Sequence, residues 1–328
     1  MARGNARTTV AAILAAAGVI AALTGTAAAG NAVTATTGPV CTSALHKGLA
    51  TKIARDVGAA IAGRRSSGDP GYDPFAHVSV AVRDDYVGLD CWYHMRQAHF
   101  SASAVKATIL AALLREAQEQ HRGLTRWEKN NAWRMITQSD NKAASALWNH
   151  VRLRRLQHFL DLAAMRETVL NTWGAWGLTN ITAFDETRLL RLLEYRNRVL
   201  TGPSRRYELY LMSHVVSAEA WGVRAGVPTW FSWHIKNGWA PLPNLATSPW
   251  VVNSIGCFLY KQRDYSIVVL TDHNPGQGPD YGIATIEAIA RVINRDLNPH
   301  AKSVWPASAR QPIWQVPDEQ LPAATQTR

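Results

Sequence analysis

Strand-type patterning occurs at two distant places in this chain of 328 residues. HVSVAVRD (77–84) and GLDCWYHM (88–95) come early, while TWFSWHIKNGW (229–239), WVVNSIGCFLYKQ (250–262) and DYSIVVLTDH (264–273) come late. The intervening stretch of some 130 residues has helical apolar spacing, as in ALLREAQEQH, AASALWNHVRLRRLQHFLDLAAM and DETRLLRLLEYRNRVL. Strands from both termini therefore predict one mainly antiparallel sheet, flanked by helices and carrying an inserted all-α subdomain at about 100–225. This is an α/β chain of the α+β two-layer kind, and a cleft between its layers is the default place for a site. ALHKGLATKIARDVGAAIAGR before the first strand and GPDYGIATIEAIARVINRDL after the last read as amphipathic helices.

The ends predict processing and a tail. Arg3 and Arg7 precede fourteen apolar residues, Val10 to Leu23, and the small-residue site Ala27-Ala28-Ala29 follows. That is the pattern of a cleavable secretory signal (1–29), too short to span a bilayer, which takes roughly 20 residues. A linker (30–42), a folded domain (43–298) and a Pro-rich tail (299–328) complete the expected organisation, in a secreted or cell-wall-associated bacterial protein. The formal charge of +11 falls to about +9 without Arg3 and Arg7 and suits anionic surroundings. No dense basic run argues for nucleic acid. Of three cysteines, Cys41 and Cys91 are the expected pair, while Cys257 sits in an apolar run as a buried residue. A bridge closing a loop of about 50 residues contributes ~4 kcal/mol in the chain-entropy account.

One helix carries a residue that its pattern does not explain. In HFSASAVKATILAALL (99–114) almost every position is apolar, so the helix is buried, yet it contains Lys106. Burial lowers an amine's pKa and turns an ammonium into a base. Ser103 lies at i, i+3 from Lys106, on the same face and in the first turn, where free N–H groups favour negative charge. The helix alone leaves two readings open: nucleophile and base, or a capping serine with a snorkelling lysine. Ser-x-x-Lys recurs at Ser139 and Lys142, so the spacing is cheap. Two further elements bear on the choice: Ser139-Asp140-Asn141, and Lys236-Asn237-Gly238 on a late strand. The eleven histidines show no zinc-protease spacing, and no phosphate loop or Gly-x-Ser-x-Gly elbow occurs.

Taken in order, with separations of 36 and 97 residues between their serines and lysine, these elements resemble the active-site motifs of the penicillin-recognising serine enzymes, in particular class A β-lactamases. The resemblance runs from about Ala44 to Asn298 and implies a β-lactamase/transpeptidase-like fold. It implies an acyl-enzyme at Ser103, with Lys106 as base and Ser139 passing a proton to the leaving group, polarised by Lys236. Asn141 would bind the substrate's amide, Lys236 and Asn237 its carboxylate, and the N–H groups of Ser103 and Trp239, beside Gly238, would form the oxyanion hole. A small β-lactam or peptidoglycan peptide is the implied substrate, with no cofactor, metal or stable membrane span, and a monomer is expected. Asn237 replaces the family's hydroxyl residue. Glu167-Thr168-Val169-Leu170-Asn171 spells the deacylating Glu-x-x-Leu-Asn element, but alignment of LQHFLDLAAMRETVL with the preceding helix puts Glu167 upstream. About eight loop residues are then missing, WGAWGLTNIT forms a shorter Trp-rich loop, and Glu167 is expected as a helix-end residue. The implied activity is hydrolysis of a β-lactam, or peptidase, esterase or penicillin-sensing activity with little turnover.

Overall fold

The computed structural model describes residues 38–65, 71–242 and 249–305. The expected signal and most of the expected linker lie outside them, as does the tail after Trp305. Six strands form one sheet in the order β1-β3-β2-β8-β7-β6. They are β1 (Val40–Ser43), β2 (Val78–Asp84), β3 (Leu89–Tyr93), β6 (Ser232–Pro241), β7 (Trp250–Tyr260) and β8 (Arg263–Asn274), while β4 (His99–Phe100) and β5 (Asn180–Ile181) pair separately. Every ladder is antiparallel. The ladder that joins the two ends of the chain is β2 with β8, where Val80 faces Val269.

Helices cover both faces of the sheet. Helices α1 (Lys47–Ala62) and α7 (Asp280–Leu297) bring Ile53, Val57, Ile286 and Ile289 onto Val80, Val82, Ile267 and Val269. The other face packs with α2 (Val105–Glu119), α3 (Arg126–Thr137), α4 (Asn141–Leu162), α5 (Ala183–Glu194) and α6 (Gly202–Ser213) through residues such as Ile109, Leu147, Leu189, Val268 and Leu270. Residues 267–270 thus alternate between two cores, which explains an unbroken apolar strand. Burial of that kind stabilises by about 25 cal/mol per Å² of apolar surface.

Two boundaries differ from the sequence reading. Val40, Cys41 and Thr42, read as linker, form most of β1; Cys41 faces Cys91 across the β1–β3 ladder and is bonded to it. Residues 303–305, read as tail, are tied to the loop before β6: Thr229 donates to the Ser303 carbonyl, and Trp305 to that of Val227. Cys257 is buried and free, as expected, and burial pushes its thiol up. Among the described residues no helix is long and apolar enough to cross a membrane.

Candidate active site

The site is assembled where the start of α2, the α3–α4 junction and strand β6 meet. Ser103 lies in a single 3-10 turn, Ala102–Ala104, leading directly into α2. Three bonds fix this turn: Ser101 donates to the Thr179 carbonyl (2.8 Å), and Ala104 N–H and Asn253 Nδ2 donate to the Ser101 carbonyl (3.0 and 3.1 Å). Ala102, just before Ser103, has φ +44, a left-handed conformation that costs an L residue energy and persists only where the surroundings impose it. Gly238 explains why β6 approaches so closely. A Cβ there would lie 2.5 Å from the Ala104 nitrogen and 2.6 Å from that of Ser103. Only glycine lets the strand lie against the serine's own amide.

Lys106 is fully buried. Its Nζ donates to the Ser139 carbonyl (2.5 Å), to Asn141 Oδ1 (2.8 Å) and to Ser139 Oγ (3.3 Å). Lys236, also buried, points along β6 to the same hydroxyl, 3.0 Å away. Burial and then the neighbouring Lys236 lower Lys106 to about 7, and burial lowers Lys236 to about 8. Near neutrality Lys106 is thus divided between amine and ammonium. Ser139 has φ +53 and its lone pairs face both lysines, so its proton is free for a third group. Asp140 caps α4 through Ala143 N–H (3.0 Å) and is paired with Arg134. Asn141 is exposed, its carbonyl taken by Lys106 and its NH2 left over among the described residues.

Of the sequence-predicted residues, Ser103, Lys106, Ser139, Asn141, Lys236, Gly238 and the backbone leading to Trp239 converge. The indole of Trp239 is half-buried edge-on against Trp221, with centroids 5.7 Å apart. Asn237 does not join them. Its Nδ2 donates to the carbonyls of Glu219 (2.8 Å) and Trp221 (3.1 Å), and its Oδ1 accepts from Ser254 (2.6 Å). Neighbouring strand residues face opposite ways, so with Lys236 in the cleft Asn237 is turned inward. No donor remains on it for a carboxylate, which corrects the role expected from the motif.

A family model described as "Beta-lactamase enzyme family" matches residues 129–297, more than half of the chain. The chain belongs to that family. The matched range contains Ser139, Asn141 and Lys236, and begins after Ser103 and Lys106. Solved structures agree on the fold. A class A β-lactamase from Bacteroides cellulosilyticus superposes with TM-score 0.61 at 14% identity, over 76% of this chain and 98% of that one. A β-lactamase from Sphaerobacter thermophilus gives 0.61 at 18%, over 75% and 97%. The L2 protein, solved complexed with relebactam, gives 0.58 at 15%, over 73% and 98%. No curated protein sequence matches the chain.

Glu167 lies apart from the contacts of Lys106. The carboxylate of Glu167 pairs with Arg96 and accepts from Thr182 (3.2 Å), while its amide caps onto Asp185 (2.8 Å). Neither Ser103 nor Lys106 is among its partners, in keeping with the upstream register of the sequence alignment. The face of Lys106 instead meets Trp176, whose ring centroid lies 4.8 Å from Nζ. The short loop that carries Trp176 rests on the nucleophile turn: Gly177 would place a Cβ 3.6 Å from Ala102 Cα. The Trp-rich composition of the loop was visible in sequence, but not which ring covers the lysine. Glu219 had no signal at all. It is buried in the 3-10 turn Ser217–Glu219, with Oε2 lacking a hydrogen-bond partner among the described residues. Burial raises its pKa, while Lys236 and Lys106 pull it down by a smaller amount.

Proposed function

We propose that this chain is an exported, monomeric serine hydrolase that works through an acyl-enzyme on Ser103. Neutral Lys106 takes the hydroxyl proton as Ser103 Oγ attacks the substrate carbonyl. The oxyanion settles between the Ser103 and Trp239 N–H groups, each worth about 3 kcal/mol in such sites. Ser139 then protonates the departing nitrogen or oxygen and recovers a proton from the lysine pair, and water hydrolyses the ester. The observation that carries this reading is the convergence of Lys106 and Lys236 on Ser139 Oγ, beside a serine whose amide is pressed against Gly238.

For the substrate, D-Ala-D-Ala-like peptides and simple esters are favoured over rapid β-lactam turnover. The reason is specific: Trp176 covers Lys106 where class A enzymes supply a glutamate to activate water, and without that base the acyl-enzyme lasts longer. Asn237 is turned away, which weakens the hold on a substrate carboxylate and so favours simple esters, which carry none, over D-Ala-D-Ala-like peptides and β-lactams alike. Intact mass after incubation with benzylpenicillin, and release of p-nitrophenol from an acyl ester, test the reading. A penicilloyl adduct or ester turnover, either one lost in Ser103→Ala, is expected. Absence of both from the folded wild-type chain rejects it.

A further inference from the structure

Away from the cleft, three imidazoles surround one carboxylate at the end of the central ladder. His77, just before β2, and His273, near the end of β8, bring their Nδ1 atoms to 2.8 and 2.7 Å from the same oxygen, Asp272 Oδ1. Their rings are 4.6 Å apart. The geometry points to a divalent-cation site of the zinc type, formed by His77, Asp272 and His273. One ligand atom from each lies within 4.8 Å of the others, and no other such group of three occurs among the described residues.

Four features favour a cation over a simple hydrogen-bond cluster. Two imidazoles and one carboxylate are the donor set that zinc and its first-row neighbours take, and three protein ligands leave a position for water. Exposure is graded to match: the Asp272 side chain is 12% exposed, His77 28% and His273 48%, so the group opens to solvent on one side. His273 has φ +50, a conformation that costs energy for a residue with a Cβ and keeps its ring over His77. Behind the carboxylate stands His99, close to it but without an aligned hydrogen bond from its Nδ1. His99 Nδ1 is 2.7 Å from Asp272 Oδ2, His99 Nε2 is 2.8 Å from Ser79 Oγ, and Ser79 is anchored to the His94 carbonyl. A small turn of the His99 ring would make that contact the hydrogen bond that holds a ligating carboxylate.

The consequence reaches the cleft. His99 lies in β4, four residues before Ser103, so a cation on Asp272 braces the strand that delivers the nucleophile turn. It takes no part in the chemistry. The test uses the tag-free full chain, stripped with EDTA and dialysed against zinc sulfate, with bound metal measured by elemental analysis. One zinc per chain is expected, with a rise in melting temperature and with loss of both in His273→Ala and His77→Ala. His273 is half-exposed, and circular dichroism checks that its variant is folded. His99→Gln should weaken binding about 10- to 100-fold rather than abolish it. Substoichiometric zinc on the wild type, or undiminished zinc on both alanine variants, overturns the assignment.

Discussion

The same four-residue pattern, Ser-x-x-Lys, stands at the start of α2 and again at the start of α4, and the two copies have opposite fates. At Ser103–Lys106 the lysine enters a helix that is apolar at almost every nearby position, is completely buried, and loses most of its preference for a proton. At Ser139–Lys142 the lysine is on the exposed face of α4, one residue after Asn141. Its serine serves the first copy instead, accepting from Lys106 and Lys236. The pattern supplies geometry in both places, whereas the reactivity comes from what surrounds the amine.

Four measurements would break or sharpen this contrast. Ser103→Ala should abolish adduct formation and ester turnover altogether. Gly238→Ala comes next, because its Cβ meets backbone rather than a movable side chain; loss of most acylation is expected, with a lower melting temperature. Lys106→Ala should slow acylation about 10²- to 10⁴-fold, as for loss of a positioned base, while Lys142→Ala leaves the rate unchanged. Equal effects on the acylation rate would erase the distinction between the copies. The smallest effect concerns pH. Acylation needs Lys106 neutral and Lys236 charged, so the rate should rise through about pH 7 and fall through about pH 8. The two apparent values belong to the pair. Trp176→Ala admits water to Lys106, and burial is the largest cause of its low pKa, so the rising limb should move to higher pH. A limb that stays in place would show that the indole does not keep the amine dry.

How much of this was legible depended on whether a residue's role is set by spacing or by packing. The strands, their pairing from both ends of the chain and the helical insertion follow from periodicity, and the structure bears them out. Ser103, Lys106, Ser139 and Lys236 were legible together because three motifs in order constrain one another. Asn237 was not, since a letter on a strand does not state which side it faces, and its turn toward Glu219 and Trp221 depends on a loop about sixteen residues away. Trp176 is one of two tryptophans in its loop, and only its contact with Lys106, with Gly177 set against Ala102, selects it over the exposed Trp173. Glu219 lies in no motif. Its pKa is raised by burial beside two lysines that pull it the other way, which no linear pattern records. The strand β1 was missed because four residues ending in a serine carry too little periodicity to stand out from a linker.

The β2–β8 ladder has a consequence for how the molecule comes into being. Its partners Val80 and Val269 are 189 positions apart, so the middle of the sheet cannot close until most of the polypeptide is available. Closing so large a loop costs entropy before any contact rewards it, which places the chain among slow folders with long-range topology. The helical segment between the strands is rich in local contacts and can order first. Until β8 arrives, β2 and the segment 250–260 each keep one unpaired edge, so for that interval the newly made chain depends on being kept from its own kind.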